Sequence, residues 1–340
     1  MSVVSRARQT VRSRAVRVAH AAENGLRDVA SGVATRAGWR PAPIPYSGYA
    51  GPSQARVLAR VVLSPASVDP AARRGIAAWR RLLTLECPSA EVRVELAGST
   101  TVVVSDAGGI VDAALPLREP LGAEDAEALL HVPGRAPARV PVHVVASTRG
   151  VVCDIDDTVW VTGLAHPLQA ARRTFLGTSS TRKAVPGMAA LVREAVHGEE
   201  RPAVVYLSNG PWNFAGIASR FLRKNGFPSG ALLMTDWGTT PTRWFRDGKA
   251  HKGSSLRRLH EDLPDVTWVL VGDDGEHDPD LYAAFTREHP DSVAAVALRQ
   301  VAPAAGGAHA ETVSGVPVLR GSDGDALLPL LRDALGRRGA

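Results

Sequence analysis

The sequence has few cysteines and no long apolar segment. Its two cysteines, Cys87 and Cys153, are far apart and each lies in an apolar run. Thiols in such surroundings are expected to be buried and reduced, which argues against a disulfide-stabilised secreted domain. No apolar stretch approaches the length of a transmembrane helix. We therefore expect a cytoplasmic protein, and any membrane contact would be peripheral, at the inner face of the membrane.

Lysine is also scarce, so arginine supplies nearly all of the positive charge. The formal net charge is +6 and the pI is about 9.8. A basic protein suits anionic partners such as phosphates, lipid surfaces or nucleic acid, and the charge alone does not choose among them. A catalytic lysine, if one is needed, must come from a short list: Lys183, Lys224, Lys249 and Lys252.

The chain of 340 residues is long enough for two domains with a sizeable core. Residues 1–39 carry apolar residues at steps of three and four among many arginines, which predicts a basic amphipathic helix. This pattern favours a helix that packs on the body of the protein. A surface arm for an acidic membrane is the alternative. Residues 40–52 are rich in proline and glycine and are predicted to be a linker.

Residues 53–148 are predicted to form a small β-rich domain. Short alternating segments with turn signals between them, such as Val92–Leu96 and Thr101–Val104, favour a sandwich of immunoglobulin-like or transthyretin-like type. A helix is expected at Ala71–Leu83. The domain contains no convergent set of chemical groups, so we interpret it as a packing or partner-binding module whose partner the sequence does not identify.

Residues 149–338 alternate apolar strands with helical stretches, which predicts an α/β domain with a doubly wound parallel sheet. Three of these strands end in polar groups. The strand at Val151 runs into Asp154-Ile-Asp-Asp-Thr158, the strand at Ala203 ends in Ser208-Asn-Gly-Pro211, and the strand at Val266 ends in Gly272-Asp-Asp274. Open parallel sheets place their sites just past the carboxyl ends of the strands.

Side chains alternate along an extended chain, so Asp154 and Asp156 should project to one side and Asp157 to the other. Two adjacent carboxylates repel each other unless a divalent cation lies between them or one is protonated. A solvated acidic turn is the alternative. A calcium-binding helix–loop–helix is excluded, because these segments follow strands and lack its ligand spacing.

The set Asp-Ile-Asp-Asp-Thr, Ser-Asn-Gly-Pro-Trp, His251-Lys252 and Gly-Asp-Asp-Gly-Glu-His-Asp resembles the haloacid dehalogenase (HAD) superfamily of aspartate-nucleophile phosphohydrolases. More closely, it resembles the actin-patch type of phosphatidate phosphatase, and Pro45-Tyr-Ser-Gly-Tyr49 ahead of the β-rich domain fits that family too. The resemblance implies a HAD-like fold and an Mg²⁺-dependent phosphomonoester hydrolase.

The resemblance also implies roles for particular residues. Asp154 would attack phosphorus to give an aspartyl-phosphate, and Asp156 would act as general acid and base. Lys252 would neutralise phosphoryl charge, with Lys249 as the competing lysine. Mg²⁺ would be held by Asp154, the Asp156 carbonyl, Asp273 and Asp278, with Asp274 as the alternative to Asp278. Ser208 would bind a phosphoryl oxygen, and the substrate-binding residues beside it would be Thr158, Asn209 and Gly210. The Thr158 hydroxyl would also order the loop.

Phosphatidate, a lipid phosphate ester, is the leading substrate, and an anionic membrane surface is the expected partner. One alternative keeps the chemistry but acts on phosphoproteins or nucleic-acid ends. Another is a membrane-associated scaffold with a vestigial hydrolase site. Nucleic acid is not the partner we expect.

Overall fold

A computed structural model of the protein describes residues 29–70, 85–122, 126–161, 182–235, 241–302 and 307–338. Residues 29–36 are helical, but most of the predicted basic helix lies outside the described residues, as does the helix predicted at 71–83. In the part of the chain that the structure describes, none of the helices has both the length and the apolar character needed to cross a bilayer.

The first part of the chain, called the β module below, is one curled sheet. Its strands follow in the order β3-β2-β1-β8-β7-β4-β5, and β6 pairs with β2 beside β3. Ser99 Oγ donates to the carbonyl of Pro116 at 2.8 Å, so β5 at one end of the sheet approaches β6 at the other. Alternating residues such as Val92, Val94 and Leu115 fill the interior. The strands are β1 Trp39–Ala50, β2 Gln54–Pro65, β3 Leu85–Glu86, β4 Glu91–Leu96, β5 Ser99–Val104, β6 Ile110–Pro116, β7 Ala126–His131 and β8 Ala138–Val144.

Two expectations for this region are corrected. The segment predicted to be a linker forms β1, which pairs with β2 from Trp39↔Pro65 to Ala50↔Ala55. Its prolines stand at alternate positions, 41, 43 and 45, so their missing N–H groups face one side of the strand. Within the described residues, β8 pairs only with Gly48–Ala50 on that side, so the prolines leave no ladder hydrogen bond unmade. The described strands also form a single curled sheet in place of the two sheets of a sandwich.

The second part has the predicted alternation of strands and helices, and the mixed α/β class is confirmed. Its seven strands follow in the order β11-β10-β9-β12-β13-β15-β14, and all pairs are parallel except β14 with β15. The strands are β9 Arg149–Asp154, β10 Ala203–Pro211, β11 Ala231–Thr235, β12 Thr267–Asp273, β13 Val293–Arg299, β14 His309–Val313 and β15 Val316–Gly321. The helices are α1 Met188–Ala195, α2 Ala215–Lys224, α3 Pro241–Asp262, α4 Asp278–Glu288 and α5 Gly324–Arg338, with short 3₁₀ turns at Trp212–Phe214 and Pro290–Ser292.

The strand β9 lies in the middle of this sheet, between β10 and β12. Leu207 pairs with Asp154, and Val271 pairs with Cys153. The polar residues that follow these three strands therefore meet at one edge of the sheet. Every residue of β9 from Gly150 to Asp154 is buried, as expected for a strand covered on both faces.

The β module contacts α3 through the Asp262 carboxylate at the end of that helix. Tyr49 Oη donates to Asp262 Oδ2 at 2.6 Å, and Arg56 Nε donates to the same oxygen at 2.8 Å. Gln54 Nε2 donates to Asp262 Oδ1 at 2.6 Å. A Cβ on Gly51 would lie 2.7 Å from Leu263 Cδ2 and 3.1 Å from the Asp262 carbonyl oxygen, so a larger residue there would require Leu263 to move.

A second contact joins the β module to the turn after β10. Tyr46 stacks on Trp212 with ring centroids 4.4 Å apart and an interplanar angle of 18°. Arg60 donates to the side-chain carbonyl of Asn213 and forms a buried ion pair with Glu86 at 3.0 Å. Together, the contacts at Asp262 and at Trp212 are called the joint below. The joint fixes the two elements that carry Lys252 and Ser208 against the β module.

Candidate active site

The chain turns sharply after Asp154, the last residue of β9. Val159 N donates to Ile155 O at 2.8 Å, and Asp157 adopts a positive φ of 55°. Arg299, at the end of β13, donates to the Asp157 carbonyl. The backbone of Asp157 thus shapes the loop.

A buried acidic cluster surrounds one lysine at the edge of the sheet. Lys252 Nζ lies 2.6 Å from Asp154 Oδ1 and 2.6 Å from Asp278 Oδ1. One carboxylate oxygen each of Asp154, Asp273 and Asp278 lies within 4.8 Å of the other two. All four side chains are at most 2% exposed. Four ionisable groups at this burial are costly without compensation, which is typical of a functional site.

The electrostatics follow from this crowding. Burial lowers the pKa of Lys252, but the Asp154 and Asp278 carboxylates outweigh it and hold that pKa well above the usual range. Burial, with the Asp278 charge, raises the pKa of Asp273 to about 7. Burial also raises the pKa of Asp154, and the adjacent Lys252 ammonium opposes that shift. A cation placed among the three carboxylates would lower their pKa values.

The three carboxylates fit a hard divalent cation. Among the described residues, Asp154 Oδ2 and Asp278 Oδ2 are buried and have no hydrogen-bond donor, and the ligand atoms that the three carboxylates offer are all oxygens. A Cβ on Gly272 would lie 2.5 Å from Asp278 Oδ2, so glycine there allows Asp278 to approach. Of the two predicted candidates, the structure brings Asp278 into the cluster. Asp274 instead accepts from Val301 N at 2.8 Å and holds a loop.

Asp156 and Ser208 form the second half of the site. Ser208 Oγ donates to Asp156 Oδ2 at 2.9 Å and accepts from Gly210 N at 2.9 Å. Trp160 Nε1 donates to Asp156 Oδ1 at 3.0 Å, so both oxygens of this carboxylate are held. A Cβ on Gly210 would lie 3.1 Å from Ser208 Oγ. These bonds bring the end of β10 against the loop after β9.

The other predicted residues lie at or beside this site. Thr158 Oγ1 donates to Asp273 Oδ2 at 3.3 Å and so links the first loop to β12. Asn209 Nδ2 donates to Glu276 Oε2 at 3.3 Å. Lys252 lies on α3 and reaches the cluster. Lys249 lies on the same helix, but its side chain is outside the described part of the structure, so the geometry supports Lys252 alone.

Sequence reasoning missed three residues of the site. Glu276 follows β12 in an acidic run whose individual members could not be ranked, and burial raises the pKa of its carboxyl. Trp160 belongs to none of the motifs singled out in the sequence. Arg182 lies with its guanidinium carbon 4.0 Å from the centroid of the Trp160 ring. Arg182 is far from Asp156 and Trp160 in the sequence, so its position beside them could not be predicted from spacing.

The comparison with protein families agrees with this geometry. Residues 149–300 match the family model described as "Phosphatidate phosphatase APP1, catalytic domain". A curated relative, the phosphatidate phosphatase APP1 of Saccharomyces cerevisiae, is 24% identical over 151 residues, which is 44% of this chain and 25% of that protein. An uncharacterized protein of Schizosaccharomyces pombe is 27% identical over 153 residues, with the same coverage.

The match spans about a quarter of the length of each of these relatives. Among solved structures, the Pnkp1/Rnl/Hen1 complex has a TM-score of 0.29 and 18% identity over 43% of this chain and 50% of that one. The matched segment contains β9, β10 and β12 with the acidic cluster, Lys252 and Ser208. The resemblance seen in the motifs is therefore confirmed: residues 149–300 are similar to the APP1-type phosphatidate phosphatase catalytic domain, a family of phosphoric monoester hydrolases.

Proposed function

We propose that this protein is an Mg²⁺-dependent phosphomonoester hydrolase that acts through an aspartyl-phosphate, and that phosphatidate is its substrate. The observation that carries the proposal is the cluster of Asp154, Lys252, Asp273 and Asp278, with both Lys252 contacts at 2.6 Å. A carboxylate at a strand end, next to a fixed ammonium and two further carboxylates, suits nucleophilic attack on a phosphate beside a cation.

The reaction needs two proton transfers, and Asp156 is the residue we assign to both. In the first step an Asp154 oxygen bonds to phosphorus, the bond to the ester oxygen breaks, and Asp156 gives its proton to the leaving alcohol. In the second step Asp156 takes a proton from water, the water oxygen bonds to phosphorus, and Asp154 is released with phosphate. For phosphatidate the products are diacylglycerol and phosphate.

Ser208 and Lys252 supply the remaining groups. The Ser208 hydroxyl now bonds to Asp156, and it would turn to donate to a phosphoryl oxygen beside the Asn209 and Gly210 amides. The two carboxylates beside Lys252 favour its charged form, which suits it to neutralise phosphoryl oxygens. Thr158 holds Asp273 in place.

Mg²⁺ would be held by Asp154, the Asp156 carbonyl, Asp273 and Asp278. It would supply charge neutralisation at the phosphoryl oxygens, which oxygen-rich sites of this kind provide.

The fold supports the same proposal. We infer that β9 to α5 form a HAD-like doubly wound domain, because Asp154, Ser208 and Asp273 follow three adjacent parallel strands in the centre of the sheet. We assign residues 149–338 to this catalytic domain and residues 53–148, together with β1, to the β module. Residues 1–28, rich in arginine, are proposed as a peripheral arm for anionic membranes at the cytoplasmic face.

Phosphate release from a substrate panel tests the proposal. The panel contains phosphatidate in mixed micelles, phosphopeptides, and oligonucleotides with 3′- or 5′-phosphates, each with and without Mg²⁺. We expect the highest kcat/KM for phosphatidate and no turnover in EDTA. Faster release from a phosphopeptide or an oligonucleotide would replace the substrate but keep the chemistry. No release from any member, with the protein folded, would support the scaffold alternative.

A further inference from the structure

Arg182 lies beside Asp156 on the ring of Trp160. Its guanidinium carbon is 4.0 Å from the ring centroid, and the Trp160 Nε1–H donates to Asp156 Oδ1 at 3.0 Å. The indole therefore joins the guanidinium to the carboxylate that we propose as the general acid. Stacking on an aromatic face is a favourable position for arginine, because it leaves the edge of the guanidinium available for hydrogen bonds.

The backbone fixes Arg182 in this position. Val161 N donates to Lys183 O at 3.0 Å, and Val185 N donates to Val159 O at 3.0 Å. Trp160 and Ala184 form a β-bridge between these two bonds. The segment that contains Arg182 is thus paired with the segment that follows the Asp154 loop. A side chain that is held in this way loses little further freedom when it binds a ligand.

One buried donor of Arg182 is not used by the described protein atoms around it. Within the described residues, its Nε–H is buried and has no acceptor. Burial lowers the pKa of this arginine, and the charge of nearby Asp156 opposes the shift. A desolvated guanidinium with an unmet donor, placed at a candidate active site, indicates an anionic ligand.

The charge of the site explains why an additional cation would be needed. Its carboxyl groups outnumber its lysine: Asp154, Asp156, Asp273, Glu276 and Asp278 surround Lys252. Two of these carboxylates already bond to Lys252. One lysine and one divalent cation together neutralise only part of this negative charge. A phosphate ester brings further negative charge into the same space, so it would be repelled without a further positive group.

We propose that Arg182, held on Trp160, is a substrate-binding residue whose guanidinium N–H groups donate to the phosphoryl oxygens of the ester beside Asp156. The ligand class is a phosphate monoester or its product, orthophosphate. The planar guanidinium matches two oxygens of such a group at once. This inference rests on the proposed function, and it adds a second cationic contact to that of Lys252.

Orthophosphate binding tests this contact independently of turnover. Calorimetric titration of the full-length protein in Mg²⁺ gives the dissociation constant for wild type, Arg182→Gln, Arg182→Lys and Lys183→Gln. Lys183 is the matched control, because it is the next residue, has the same charge and is exposed. We expect Arg182→Gln to weaken binding by about 10- to 100-fold, the range of a charge-assisted hydrogen bond. Arg182→Lys should show a smaller loss, and Lys183→Gln should bind like wild type.

Three results would overturn the inference. They are unchanged binding in Arg182→Gln, equal losses in Arg182→Gln and Lys183→Gln, and no orthophosphate binding by the wild type. Thermal melting shows whether each variant is folded, and Arg182→Lys provides the comparison if Arg182→Gln is not. A wild type that binds orthophosphate through Arg182 but hydrolyses no ester would refute the proposed function and leave this inference standing.

Discussion

Replacing Asp278 by asparagine should have opposite effects on stability with and without Mg²⁺. Asp278 is fully buried, its Oδ1 lies 2.6 Å from Lys252 Nζ, and its Oδ2 has no donor in the part of the chain that the structure describes. Without a cation, Asp154, Asp273 and Asp278 repel one another around a single ammonium. Asparagine keeps an acceptor for Lys252, removes one of the repelling charges and offers an N–H₂ group to the remaining carboxylates. We therefore expect the melting temperature of Asp278→Asn in EDTA to exceed that of the wild type.

Added Mg²⁺ should reverse the order of the two proteins. A ligand present at 100 times its dissociation constant stabilises the native state by about 2.7 kcal/mol. At about 2–4 °C per kcal/mol for domains of 150–250 residues, this gives the wild type an upward shift of about 5–10 °C. Asp278→Asn lacks one of the three buried carboxylates, so the same Mg²⁺ concentration should shift its melting temperature by much less.

Differential scanning calorimetry across a Mg²⁺ series measures both effects. Asp274→Asn is the matched control: Asp274 is in the same acidic run, but its side chain accepts from Val301 N. This control should keep the Mg²⁺ response of the wild type. The reasoning would be refuted by an equal Mg²⁺ shift in Asp278→Asn and wild type, or by loss of the shift in Asp274→Asn alone.

Four further predictions concern other parts of the protein. Asp154→Asn should reduce phosphate release to background while the protein stays folded, and activity above a few per cent would exclude the aspartyl-phosphate. Asp156→Asn should reduce phosphate release by about 10²- to 10⁴-fold. Burial lowers the pKa of His251 to about 4, and the charges of Arg258 and Lys252 add to the effect. The contribution of neutral His251 to stability is therefore complete above its unfolded pKa of about 6.5 and is lost as the pH falls towards 4. His251→Gln should remove this pH dependence from the free energy of unfolding measured in urea, and an unchanged profile would contradict the argument. Asp262→Asn should lower the free energy of unfolding, measured in urea, by about 3 kcal/mol, because Tyr49 and Arg56 lose a buried anion. A decrease below about 1 kcal/mol would show that the joint contributes little to stability. Deletion of residues 1–28 should weaken salt-sensitive sedimentation with anionic liposomes and leave hydrolysis of a soluble ester unchanged, whereas equal binding by both proteins would contradict a membrane arm.

The strands that carry the candidate site were predictable from the sequence. The runs at Val151, Ala203 and Val266 are apolar and rich in β-branched residues, and the structure places β9, β10 and β12 there. Their polar ends meet because parallel strands share one carboxyl edge, a consequence of topology that needs no side-chain detail. β11, Ala231–Thr235, is another buried apolar run of strand length.

Three features, β1, β14 and the contact of Arg182, depend on tertiary pairing that local sequence patterns do not predict. The prolines of β1 indicate a linker unless one knows that their side of the strand is unpaired over residues 41–45. β14 alternates weakly and is exposed, so its hairpin with β15 carried little apolar signal. Arg182 contacts Trp160 because the two ends of the segment between them pair. Spacing along the chain gives no indication of that contact.

The joint connects the segment that matches the family model to the β module that precedes it. The family model begins at residue 149, yet Tyr46 covers Trp212, and Tyr49 and Arg56 bind Asp262. A polypeptide cut at residue 149 would expose an indole face and leave a buried aspartate without its donors. We therefore expect residues 149–338 to be less stable when expressed without the β module than with it. Variants in the Tyr46–Arg56 stretch should be interpreted alongside those at the acidic cluster.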